Sequence, residues 1–187
     1  MGKIEDLAEK YGRHIGTQWQ RTVAGAQRVI LVVYDKELER TLRARRRAFE
    51  AETQKGLHEW FEVDLTNAFA EWMAGDEYRE AYFESPGDLG LKLEAEFAEV
   101  VARRISAQLT HTDVTDNSVV AVFGVGSLFG FARMSKVLKL VEGDIKGRLI
   151  VFFPGSYEQN NYRLLDARDG WNYLAVPITL HGSGEIQ

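Results

Sequence analysis

Three short apolar runs set the terms for how this chain can fold: Arg28 to Tyr34 (RVILVVY), Ser118 to Phe123 (SVVAVF) and Arg148 to Phe153 (RLIVFF). None alternates with polar residues, so each reads as a strand covered on both faces, the pattern of a parallel sheet between helical layers. Each also stops abruptly. The first ends at Asp35, and the other two end in turn-forming segments, Gly124-Val-Gly126-Ser127-Leu-Phe-Gly130 and Pro154-Gly155-Ser156-Tyr157. Ligands and partners of open parallel sheets gather where strands end and the backbone turns.

Helical spacing fills the intervals. Ile4, Leu7, Ala8, Tyr11 and Ile15 predict an amphipathic helix over residues 3–20. Leu38, Leu42 and Phe49 predict another over 36–54, stopping near Gly56. Leu57 to Asp64 alternates as a second strand, and Leu65, Phe69, Trp72 and Met73 mark a short helix after it. A helical stretch at 76–83 breaks at Ser85-Pro86-Gly87, and a long helix follows over 92–109. Met134, Val137, Leu138 and Val141 mark the helix after the third strand, and Tyr173 to Ile178 is a fifth strand candidate.

Strand and helix thus alternate at βαβ spacing. The expected fold is α/β: a three-layer Rossmann-like sandwich with a mainly parallel sheet of about five strands. The stretch from Pro154 to Asn172 has few helix signals, which leaves an antiparallel edge as the alternative for the last strand. With 187 residues, no repeat and no linker, residues 1–187 are expected to form a single domain, with a frayed tail at 181–187.

Composition excludes several chemistries. There is no cysteine, so disulfides, thiolate metal sites and cysteine nucleophiles are out. A net charge of -5 opposes general nucleic-acid binding, and no sequence-specific contact to nucleic acid is expected. The charged N-terminus lacks a signal-peptide core, and no apolar run is long enough for a membrane span, so a cytoplasmic protein is expected. His111 and Asp113 offer two metal ligands without a third, so neither metal nor cofactor is anticipated.

The strand-end motifs carry alternative readings. Glycines at Gly124 and Gly126, with Ser127, suit either a tight structural turn or a phosphate-binding one. Two features depart from nucleotide motifs: Gly130 follows Gly126 by four residues, where the dinucleotide fingerprint wants three, and no Walker lysine is present. Pro154-Gly155 reads as turn chemistry closing the fourth strand, with the polar stretch Glu158 to Arg163 either a solvated loop or a recognition surface. Arg133 sits in the first turn of a helix, where a cation is unfavourable, so it is expected to pair with Asp35, Asp64 or an external anion. Arg40, Arg43 and Arg47 share a solvated face, whereas Arg45 falls within the apolar stripe and is expected to reach an acidic partner. Ser127 and Ser156 stand at strand ends without an assigned base, so no catalytic constellation emerges.

The order of segments resembles a known family. A strand ending Tyr-Asp, a charged helix, a strand ending Val-Asp-Leu, a long helix, a Gly-Val-Gly-Ser turn followed by an arginine, and a strand ending Phe-Phe-Pro-Gly-Ser-Tyr are similar to the BrxB family of bacterial BREX phage-exclusion systems. The resemblance spans Val29 to Ile178 and is carried best by Gly124, Gly126, Ser127, Arg133, Phe153, Pro154, Gly155 and Tyr157. Phe129-Gly130 stands where many members have Tyr-Pro, which marks a divergent branch. The resemblance implies a non-enzymatic component of a defence complex. Its expected partner is a PglZ-like protein of the alkaline-phosphatase superfamily, with other BREX subunits as further candidates and no membrane. Beside it stand a nucleotide- or phosphate-binding sensor using the Gly124 to Gly130 turn, and an enzyme such as a nuclease using Asp35, Asp64 and Arg133.

Overall fold

The structure is a computed structural model that describes residues 2–181; the expected frayed tail at 181–187 lies almost wholly outside the described residues. Five strands form a parallel sheet: β1 (Val29–Tyr34), β2 (Glu59–Asp64), β3 (Ser118–Phe123), β4 (Arg148–Glu158) and β7 (Val176–Ile178). Their spatial order is β2-β3-β4-β1-β7, and every neighbouring pair in that order is parallel. The last strand is therefore a parallel edge, and the alternative of an antiparallel one is corrected. Pro177 suits the edge position, because it has no N–H for a further neighbour.

The three runs that opened the sequence are the sheet's centre. β1 and β3 are buried throughout, and β4 is buried from Arg148 to Pro154. Side chains alternate between two cores. Ile30, Val32, Phe123, Ile150 and Phe152 meet α1 (Lys3–Ile15), α2 (Glu39–Arg45) and α3 (Arg47–Lys55) on one face. Leu31, Val33, Val120, Val122, Val151 and Phe153 meet α4 (Ala68–Ala74), α7 (Ala98–Leu109) and α8 (Met134–Val141) on the other. These are the three layers expected.

Helix boundaries differ where local chemistry intervenes. The first helix ends at Ile15 instead of residue 20, because Gly16 caps it and the Trp19 indole N–H takes the Ile15 carbonyl at 3.0 Å. The 36–54 helix is a 3-10 turn (Lys36–Leu38) followed by α2 and α3, interrupted at Arg46. Residues 76–92 form only α5 (Arg79–Glu84), a 3-10 turn and α6 (Leu89–Lys92), and none of these holds a buried residue. A π-helical turn, Leu93–Phe97, then leads into α7.

The largest correction concerns Pro154-Gly155. These residues do not close the strand; β4 continues to Glu158 and pairs antiparallel with β5 (Asn161–Leu164), which in turn pairs with β6 (Trp171–Asn172). The turn lies at Gln159-Asn160, both at positive φ (48° and 67°), the backbone of a two-residue hairpin. Gly155 is demanded by the partner strand, since a Cβ there would lie 2.0 Å from the Arg163 carbonyl oxygen. Pro154 stands opposite Tyr34 at the last parallel position, and its carbonyl accepts the Leu165 N–H at 2.8 Å.

Candidate functional site

β1 and β4 are neighbours whose onward connections diverge, one to β2 past β4 and β3, the other to β7 past β1. Such a switch point opens a crevice at the carboxyl ends of the strands. Here it is a cleft of about 450 Å³ lined by Asp35, Lys36, Gly155, Ser156, Arg163 and Asp166, among others. Lys36 forms an ion pair with Asp166, tying the segment after β5 to the exit of β1, and that hydrogen bond raises the lysine's proton affinity. The Asp35 carboxylate accepts the Glu37 N–H at 3.0 Å and caps the following turn. Arg163 makes no ion pair among the described residues, so the cleft presents one free guanidinium and the Ser156 hydroxyl.

The glycine turn lies next to this cleft but faces inward. Gly124 adopts φ 80°, and a Cβ on it would lie 2.5 Å from the Thr66 nitrogen. The Ser127 hydroxyl shares its proton between the carbonyls of Gly124 (2.6 Å) and Leu65 (3.0 Å), binding the exit of β3 to that of β2. Gly126 lies against Pro154, whose Cγ would be 3.3 Å from a Cβ there. The two strand-end motifs, well separated in sequence, therefore touch. Their hydrogen bonds run to the fold's own backbone, which is what a structural turn requires.

Other singled-out residues separate. Tyr157 belongs to an aromatic cluster with Tyr162 (ring centroids 4.7 Å apart), which continues to Trp171 and Phe153 and fastens the hairpin to the core. Arg133 is exposed at the start of α8 and has no carboxylate partner among the described residues. The pairing expected with Asp35 or Asp64 is thus corrected: Asp35 is a cap, and Asp64 is taken by Arg43. Arg45 does reach an acidic partner, Glu5 of α1, with Nε 3.3 Å from Oε1. His111 and Asp113 stand 3.7 Å apart, and no group of three or more metal-binding side chains occurs among the described residues.

Both junctions fall inside one stretch of family similarity: residues 61–178, from β2 through β7, match the family model of BREX protein BrxB. That is more than half of the chain. The chain belongs to the BrxB family. No curated protein and no solved structure matches it. As a BrxB-family member it is a component of a BREX antiphage system. Among the described residues no helix is long and apolar enough to cross a membrane.

Two features of this BrxB-family chain escaped sequence reasoning. The 76–92 segment exposes Tyr78, Phe83 and Leu91 by 65%, 62% and 81%. The helical stretch expected at 76–83 had no face assigned to it, so the exposure of these side chains was not foreseen. At the opposite edge of the sheet lies a larger cleft, about 610 Å³, whose lining includes Arg21, Arg28, Lys146 and Arg148. No local pattern could reveal it, because Arg21 and Arg28 precede β1 while Lys146 and Arg148 stand at the entrance of β4, far away in sequence.

Proposed function

We propose that this chain is a non-enzymatic adaptor of a BREX system and that it binds the system's PglZ-like protein through the 76–92 segment. The observation that carries the reading is the exposure of Tyr78, Phe83 and Leu91 on a segment whose helices bury no residue of their own. Large apolar side chains left together on a surface mark interaction sites. Lys92 joins the two ends of the segment by pairing with Asp76, and its ammonium lies 5.7 Å from the ring centroids of Tyr82, within the segment, and of Trp72, in α4. The sheet's carboxyl edge supports the non-enzymatic half of the proposal. Neither Ser127 nor Ser156 has a histidine within hydrogen-bond reach among the described residues, and Asp35 is occupied as a cap.

The test is co-purification with the products of the neighbouring genes, in wild type and in a Tyr78→Ser/Phe83→Ser/Leu91→Ser variant. The expected result is capture of the PglZ-like protein by wild type and its loss in a variant that stays folded by circular dichroism. A folded wild type that captures no product of its gene cluster overturns the adaptor role. A variant that binds as well as wild type overturns the surface.

A further inference from the structure

We infer that the cleft at the amino ends of the strands binds a phosphate group, either free or carried on a nucleotide, between Arg148, Arg28, Lys146 and Arg21. The site is independent of the partner surface and lies at the opposite sheet edge from the glycine turn.

Arg28 precedes β1, His58 precedes β2, and Lys146 and Arg148 lead into β4, so the parallel register itself gathers them. Arg148 is 9% exposed, and its guanidinium donates to two main-chain carbonyls, Gly147 at 3.0 Å and Gln20 at 3.5 Å. Arg28 likewise donates to the carbonyls of Ile145 (2.8 Å) and Arg21 (3.0 Å), yet its Nε is buried without a partner. Lys146 reaches the carbonyl of Val114 at 2.8 Å. Carbonyl oxygens orient these cations without neutralising them. None of the four makes an ion pair among the described residues, and of the carboxylates only Asp116 lines the cleft. Nine other lysines and arginines of this net-acidic chain do have carboxylate partners among the described residues, whereas these four line one cleft without any.

The geometry is also fixed. The Trp19 indole stacks on His58 at 3.7 Å between centroids and carries the Arg148 guanidinium 4.8 Å from its own ring centre. His58 is held in turn by Asn117, 2.6 Å from Nδ1. Burial, and then the charge of Arg28, disfavour the Arg148 cation, which is what an arginine lacking its counter-ion experiences. A guanidinium fork with unused N–H groups matches phosphate oxygens, and half-buried cations gain most from a doubly charged anion. The cleft volume admits a nucleotide as readily as phosphate itself.

The experiment is isothermal titration calorimetry of the full chain at low ionic strength with inorganic phosphate and, separately, with ATP. Wild type is expected to bind at least one of them saturably. Arg148→Gln is expected to weaken that binding by about tenfold or more, and Arg21→Gln by a few fold. Equal affinities for the two ligands identify a free-phosphate site; markedly tighter ATP binding identifies a nucleotide site. Should Arg148→Gln unfold, Arg21→Gln decides, because Arg21 is exposed at the rim. The proposal is overturned if wild type binds neither ligand at about 10 mM, or if the folded variants bind as tightly as wild type.

Discussion

The Arg43 guanidinium reaches from α2 to the Asp64 carboxylate at the end of β2, placing Nη1 3.3 Å from Oδ2. Nη2 donates to the Thr66 hydroxyl at 2.7 Å, and Nε donates to Glu39 at 2.8 Å. One side chain thereby joins the helix after β1 to the end of β2, which β4 and β3 separate from β1 in the sheet. Burial alone would raise the Asp64 pKa, but the bonds from Thr66 and the charge of Arg43 outweigh it and hold the carboxyl below 3.8.

Arg43→Gln should therefore lower stability by about 0.5–1 kcal/mol at neutral pH, a modest figure because the group is partly exposed. A depressed carboxyl stabilises the fold above its unfolded pKa, and this contribution is lost as pH falls through the folded value. The gap between wild type and Arg43→Gln should accordingly narrow below about pH 4 in urea titrations. A gap that persists unchanged at pH 3 would contradict the linkage.

Arg43, expected on a solvated face, is instead half-buried and paired, a contact that helical spacing alone does not reveal. The strands of the sheet centre were legible because burial on both faces leaves an unbroken apolar run, and β1, β3 and the first part of β4 are such runs. The Arg45 partnership was legible because a cation in an apolar stripe must reach past its edge. The Arg133 pairing was misjudged because any of several arginines can reach a strand-end carboxylate, and spacing cannot rank them. Pro154-Gly155 misled for a different reason. Both residues favour turns locally, but here proline ends the parallel pairing and glycine admits the Arg163 backbone. The continuing strand shows only in its pairing with β5 and in the half-buried and exposed alternation from Gly155 to Glu158, neither of which the residue types announce.

The two positive-φ glycines of the β3 turn make a matched pair. Gly124→Ala combines a left-handed backbone with a Cβ placed 2.5 Å from the Thr66 nitrogen, and should destabilise by about 2–3 kcal/mol. Gly130 has φ 79° but open space around it, so Gly130→Ala should lose only about 1 kcal/mol. Chemical denaturation of the two variants measures the difference. Equal losses would mean that backbone conformation, and not the contact with Thr66, sets the requirement at Gly124.

Between α1 and α3 the buried Tyr11 and Thr53 hydroxyls lie 2.7 Å apart, and Thr53 also donates to the Phe49 carbonyl at 2.8 Å. With its own proton used on that carbonyl, Thr53 accepts from Tyr11. Thr53→Val should leave the Tyr11 hydroxyl unpaired in the core and lose about 1–3 kcal/mol. Adding Tyr11→Phe removes the orphaned group, so the double variant should regain much of the loss. Strict additivity of the two single variants in thermal unfolding would show that the bond contributes nothing.

His14 couples the α1 terminus to the basic cleft. Burial lowers its pKa below the usual 6.5, and the nearby charge of Arg148 lowers it further. A histidine with a depressed folded pKa resists a proton that the unfolded chain accepts. Stability should therefore fall as pH drops below about 6.5, and the fall should end once the folded pKa is passed. His14→Gln should flatten that slope by at most one proton, and Arg148→Gln should shift the His14 midpoint upward by removing the second cause. An NMR titration of the His14 ring reads both: a wild-type midpoint at or above 6.5 would contradict the argument. The same titration bears on the cleft, because an anion seated against Arg148 would relieve the field on His14 and raise its midpoint in wild type but not in Arg148→Gln.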